Sequence, residues 1–130
     1  MSQTISDEYL KEQQKLHENP NYGIASTQFA SSVANLIRQS KAKSLTDYGA
    51  GKQRLWSSLE KLEVTDGLQY QPYDPAFPEY GPPKAADLVC CIDVLEHIEP
   101  ELLNNVLQEL STLVTRAGFF TIDQGPAGKT

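Results

Sequence analysis

The chain has 130 residues, of which 39% are apolar and 22% charged. That suits one domain with a modest core and argues against general disorder. Acidic residues outnumber basic ones 17 to 11, for a net charge of −6 and a pI near 4.8. This argues against a broad, non-specific grip on nucleic acid, which needs clustered Lys and Arg, and leaves a local basic patch open.

No stretch approaches the run of about 18 apolar residues that a transmembrane helix needs. The first residues are polar and lack the apolar region of a secretory signal. Cys90 and Cys91 are adjacent. Neighbours on a strand point to opposite faces, so a disulfide between them is not expected. A reduced, cytoplasmic setting fits this usage.

In chain order, residues 6–17 read as a weakly anchored helix that stops at Asn19-Pro20-Asn21. A second helix is predicted over 26–40, because Phe29, Val33, Leu36 and Ile37 recur at helical spacing. Ser26 or Thr27 would be its N-cap. Arg38, Lys41 and Lys43 suit the negative pole of its dipole and read better as a solvated helix end than as a phosphate site. Residues 44–48 form a short strand, followed by a glycine turn and a helix with Leu55, Leu59 and Leu62 on one side. Gly67 closes that region. Residues 68–73 are a second strand, and Pro72 inside it implies an edge position.

Five prolines between 72 and 83 imply an irregular loop. The unbroken run 87–92 reads as a strand buried on both faces. Pro100 then opens a helix with Leu103, Val106, Leu107, Leu110 and Leu113 inward. Residues 118–122 are a last strand. The fold class is therefore α/β: a Rossmann-like parallel sheet of about four strands, with helices on both faces. An N-terminal helical segment (1–43) precedes the core (44–130), within one domain. The third strand should lie on the far side of the first. That creates a topological switch point where ligands bind outside the carboxyl ends of the strands.

Three groups of residues fall at those ends. The first is Asp47-Tyr48-Gly49-Ala50-Gly51. Its glycines permit a tight turn and close backbone approach to a ligand, and the next helix offers free N–H groups. It is not the dinucleotide fingerprint, because position 54 is Arg rather than Gly. Asp47 before the glycines would repel a pyrophosphate and welcome an ammonium or sulfonium. The second is Asp74-Pro75, which either holds ribose hydroxyls or merely initiates a turn. The third is Asp93-Val94-Leu95-Glu96-His97. His97 there is either a general base or a structural residue. Glu96 and His97 have no further His or Cys at ligand spacing, so no metal site is expected.

Two decoys are set aside. Gly125–Thr130 has part of a P-loop, but position 123 is Asp. Cys91 is mid-strand in an apolar setting, a poor place for a nucleophile.

Taken together, Ser44-Leu-Thr-Asp-Tyr-Gly-Ala-Gly-Lys52, Tyr73-Asp74-Pro75 and Ala86-Asp-Leu-Val-Cys-Cys-Ile-Asp-Val-Leu-Glu-His-Ile-Glu-Pro-Glu101 resemble the class I S-adenosylmethionine-dependent methyltransferases over residues 44–122. The resemblance implies S-adenosylmethionine as cofactor. It implies that Asp47, Tyr48, Gly49 and Gly51 lie along its methionine part, that Asp74 and Pro75 lie at the ribose, and that Asp93, Val94 and Leu95 border the adenine. His97, Glu96 and Asp93 become the acceptor-side candidates, with His97 and Glu96 the catalytic ones. Tyr22, in the turn before the fold, is either a lid over the cofactor or, the favoured reading, an aromatic residue of a surface turn.

The family's core sheet has seven strands. Only 12 residues separate Asp74 from Asp87, too few for the helix–strand–helix found there in the family, so one strand is missing and strand two becomes an edge. The chain is expected to be a fragment, or a minimal form completed by a second copy or a partner chain. The methyl acceptor is unidentified, with a small molecule favoured. A non-catalytic cofactor-binding or partner-interaction module is the alternative, and an unrelated nucleotide-binding α/β domain is the third reading.

Overall fold

A strand with no polar break needs apolar cover on both faces. The computed structural model, which describes residues 25–122, provides it. The elements in chain order are α1 (Ala25–Gln28), α2 (Ala30–Ser40), β1 (Ser44–Tyr48), α3 (Arg54–Lys61) and β2 (Gln69–Tyr73). A 3₁₀ turn (Pro78–Tyr80), β3 (Ala86–Ile92), a second 3₁₀ turn (Leu95–His97), α4 (Pro100–Leu113) and β4 (Val114–Thr121) follow. The strands form one sheet in the order β2-β1-β3-β4, and every pairing is parallel. The fold is α/β and Rossmann-like, with β1 and β3 flanking the switch point.

Each face of the sheet has its own core. On one face Leu45, Leu88, Cys90 and Ile92 meet Val33 and Ile37 of α2 and Leu55 and Leu59 of α3. On the other, Tyr48, Val89 and Cys91 meet Val106, Leu110 and Leu113 of α4. Cys90 and Cys91 therefore point to opposite faces, and both are free thiols. Burial pushes the Cys91 thiol up to about 12 and Cys90 well above the ordinary range.

The crossover from β1 to β2 is a helix on one face, and the crossover from β2 to β3 lacks one. The chain returns past Thr46 and Gln71. Thr46 Oγ1 donates to the Lys84 carbonyl at 2.5 Å, and Gln71 Nε2 donates to Thr46 Oγ1 and to the Ala85 carbonyl, each at 3.0 Å. These bonds satisfy backbone that a helix would have satisfied internally. β2 is an edge strand, where Pro72 can sit without breaking a ladder on both sides.

Four local expectations need correction. The helix predicted over 26–40 is broken at Phe29 (φ −96°, ψ 1°). The Phe29 ring turns onto Phe119 of β4, with centroids 6.0 Å apart. Ser26 and Thr27 lie within α1 rather than at an N-cap, and Phe29 precedes α2 with no side-chain cap. Leu62 lies past the end of α3 and is exposed, and Leu107 on α4 is 44% exposed. A helix packing against a sheet buries one stripe of its surface, and on α4 Val106, Leu110 and Leu113 fill it. Residues 6–17, the turn at 19–21, Tyr22 and the 125–130 segment lie outside the described residues. Among the described residues, no helix is long and apolar enough to cross a membrane.

Candidate ligand site at the carboxyl ends of the strands

β1 ends in Asp47 and Tyr48, and alternation sends their side chains to opposite faces. Tyr48 enters the α4 core. Its hydroxyl donates to Glu109 Oε1 at 2.5 Å, and its ring lies 4.8 Å from that of Tyr73. Burial, then the Glu109 carboxylate, raises its pKa. Its side chain is committed to the core, so only its backbone borders the glycine loop.

Asp47 faces the other way and is 3% exposed. Tyr70 of β2 donates its hydroxyl to Asp47 Oδ2 at 2.7 Å. Burial pushes the Asp47 carboxyl up to about 7. The Tyr70 bond opposes that rise, and the nearby Asp74 charge adds to it. A buried acid is held here at the foot of the glycine loop.

The loop itself turns through left-handed backbone at Gly49 (φ 91°) and Gly51 (φ 53°). Gly49 is required twice over. Its φ disfavours any side chain, and a Cβ there would overlap Cγ2 of Val94. Val94, from the segment after β3, therefore packs directly on the first glycine of the loop. The amides of Gly49 and Ala50 both donate to the Tyr73 carbonyl, at 2.7 and 3.0 Å.

Asp74 ties the ends of β1 and β2 together. Its Oδ2 accepts the Gly51 amide and its Oδ1 the Ala76 amide, both at 2.9 Å. The second bond is the local turn that Asp-Pro promises. The first crosses 23 residues of sequence and fixes the glycine loop. Tyr80 completes the clamp, donating its hydroxyl to the Gly51 carbonyl at 2.6 Å. Both backbone polar groups of Gly51 are thus held by the loop after β2. Pro75, half-buried, follows Asp74 into that loop.

No family model matches this chain. No curated protein matches it either. A solved structure similar to it is that of a provisionally named O-methyltransferase from Klebsiella pneumoniae, with 15% identity and a TM-score of 0.40. The match covers 85% of this chain and 62% of that one, so the chain spans less than two thirds of that protein's length. At this identity and score, no residue role transfers.

The third group sits across the switch point. Asp93 takes left-handed backbone (φ 53°), which Asp tolerates better than most residues. Its amide donates to the carbonyl and to Oγ1 of Thr121, at 3.2 and 2.9 Å, and its Oδ1 accepts the Thr121 hydroxyl at 2.8 Å. The Asp93 carboxylate is thereby turned toward β4, while Val94 turns toward the glycines. Val94 and Leu95 pack on the α4 core. Glu96 and His97 are half-buried in the second 3₁₀ turn, and the His97 amide donates to the Val94 carbonyl at 2.9 Å. Among the described residues, no group of three or more His, Cys, Asp or Glu could hold a metal ion.

Sequence reasoning missed Tyr70 and Tyr80. The one available signal was their position, four before and six after Asp74 in a segment rich in tyrosine. Their partners, Asp47 and Gly51, are set by strand register and loop path.

Proposed function

We propose that this crevice binds S-adenosylmethionine and that the chain serves methyl transfer to a small-molecule acceptor. The observation that carries the reading is the anionic character of a glycine loop at a switch point. Asp47 lies buried beneath the loop, and Asp74 is bonded to its last glycine. A pyrophosphate is repelled by such a site, whereas a ligand with a ribose and a cationic arm is favoured.

The residues fit that ligand. Asp74 accepts the Gly51 and Ala76 amides, which holds its carboxylate at the end of β2, the place where an acid meets ribose hydroxyls in folds of this kind. Gly49 to Gly51 would lie along the cationic arm, and Val94 and Leu95 against the base. When bound, S-adenosylmethionine supplies a methyl group on a sulfonium with a neutral thioether as leaving group. The protein's part is positioning and exclusion of water. Its backbone is already clamped by Asp74 and Tyr80, so little ordering remains on binding. His97 is the candidate base for an acceptor that must lose a proton, with Glu96 beside it.

The experiment is a competition titration by calorimetry. S-adenosylhomocysteine should bind and NAD should not, and equal or tighter binding of NAD ends this reading. Release of labelled methyl into acceptors from a cell extract then separates an enzyme from a binding module. If His97 is the base, His97→Ala lowers turnover at saturating cofactor and leaves cofactor affinity within about twofold. An unchanged rate removes it from the site.

A further inference from the structure

Tyr70 was invisible as a functional residue in the sequence. In the fold it meets the most deeply buried carboxylate among the described residues. Asp47 is 3% exposed, and Tyr70 is its hydrogen-bond donor, at 2.7 Å from Oδ2. The ring of Tyr70 stacks on Trp56 of α3, with centroids 4.6 Å apart and planes inclined by 21°. β2 is an edge strand, so Trp56 braces a ring that strand pairing secures on one side alone. The hydroxyl is therefore presented from a fixed direction. Nothing in core packing requires this, because a phenylalanine would stack on Trp56 equally well.

We infer that Tyr70 is the positioning residue of the crevice: its braced hydroxyl holds the Asp47 carboxylate oriented and charged for the cationic arm of the ligand. The inference rests on the S-adenosylmethionine reading for its ligand, and on the Tyr70–Asp47–Trp56 geometry for everything else.

The charges around Asp47 make the need plain. Asp74, at the end of β2, is a second carboxylate that opposes ionisation of Asp47. Cys90 and Cys91 of β3 stay protonated, first because they are buried and then because they feel the Asp47 charge. Tyr80 from the following loop is neutral, its pKa raised first by burial. From α3 the neighbour of Tyr70 is the uncharged Trp56. Among the described residues, Tyr70 is thus the group that favours the charged form of Asp47.

The test is Tyr70→Phe, which keeps the ring and removes the O–H. The Asp47 carboxyl is followed by carbon NMR in the free protein as a function of pH, with Asp47→Asn assigning the signal. The midpoint should rise by about one to two pH units, the equivalent of a hydrogen bond to a charged acceptor. S-adenosylhomocysteine affinity near pH 7 should fall roughly tenfold and return toward wild type at pH 9. Uncharged adenosine should bind both proteins alike. In the Asp47→Asn background, Tyr70→Phe should change nothing further.

An unmoved NMR midpoint overturns the inference. So does an affinity loss that is equal at all pH values and shared by adenosine, because that describes a structural residue. If wild type binds S-adenosylhomocysteine at no pH, the proposed function falls, and the NMR midpoint still judges Tyr70. Should Tyr70→Phe fail to fold, fluorotyrosine at position 70 replaces it. Its more acidic hydroxyl should lower the midpoint, and an unchanged or raised midpoint again overturns the inference.

Discussion

Replacing Asp47 by Asn should make the protein more stable at alkaline pH and useless for its proposed ligand. The ordinary carboxyl value is 3.8, and burial raises that of Asp47 to about 7. Between these values the folded chain keeps a proton that the unfolded chain has lost. Stability therefore falls as pH rises from about 4 to about 7, and the full penalty stands above that window. A gap of that size is worth about 4 kcal/mol as an order of magnitude. Asn is nearly isosteric and cannot ionise, and its amide oxygen can still accept from Tyr70.

Urea denaturation at pH 5 and pH 8 isolates the effect, because other titrating groups cancel between the two proteins. The variant should be more stable at pH 8 by about 2–4 kcal/mol, and within about 1 kcal/mol at pH 5. The melting temperature at pH 8 should rise by something on the order of 10 °C. Parallel pH profiles for the two proteins, or a variant that is weaker at pH 8, would refute the claim that Asp47 is buried at a cost. Such a cost, tolerated at the proposed ligand site, is what stability given up for function looks like.

Asp74→Ala strips acceptors from two amides, Gly51 and Ala76. It should lower stability by about 3 kcal/mol and weaken S-adenosylhomocysteine binding, with Asp74→Asn intermediate; an unchanged melting curve would mean the clamp is idle. Gly49→Ala should cost about 2–4 kcal/mol, from its left-handed backbone and its overlap with Val94. Adding Val94→Ala should recover the steric part alone, as read by urea denaturation. Cys90 and Cys91, buried and protonated, should resist a thiol reagent in the native state at pH 8. Both should react at once in denaturant, and fast native labelling of either would contradict the two-faced core.

Much of the fold was legible in the residues. Local pattern is enough to place the strand 44–48, the glycine turn and the unbroken run 87–92, because each is written in consecutive residues. The rule of right-handed crossovers then carries β3 to the far side of β1. Pro72 marks the edge. Asp47, Asp74 and the 93–97 segment also fall at the same ends of parallel strands, as their positions after apolar runs imply.

Local pattern could not say what those residues touch. Tyr48, adjacent to Asp47, gives its hydroxyl to Glu109 across 61 residues, and Asp93 spends its carboxylate on Thr121, 28 residues on. Asp74 carries a turn and a cross-loop clamp at once. Leu107 has the right helical spacing and still faces solvent, and Phe29 ends a helix turn to reach Phe119. These outcomes depend on register between strands and on the width of the groove each helix meets. Sequence fixes which face a side chain takes within its own element. Only the packing of distant elements decides what stands opposite it, because that choice is made by the joint fit of many side chains and by no single segment.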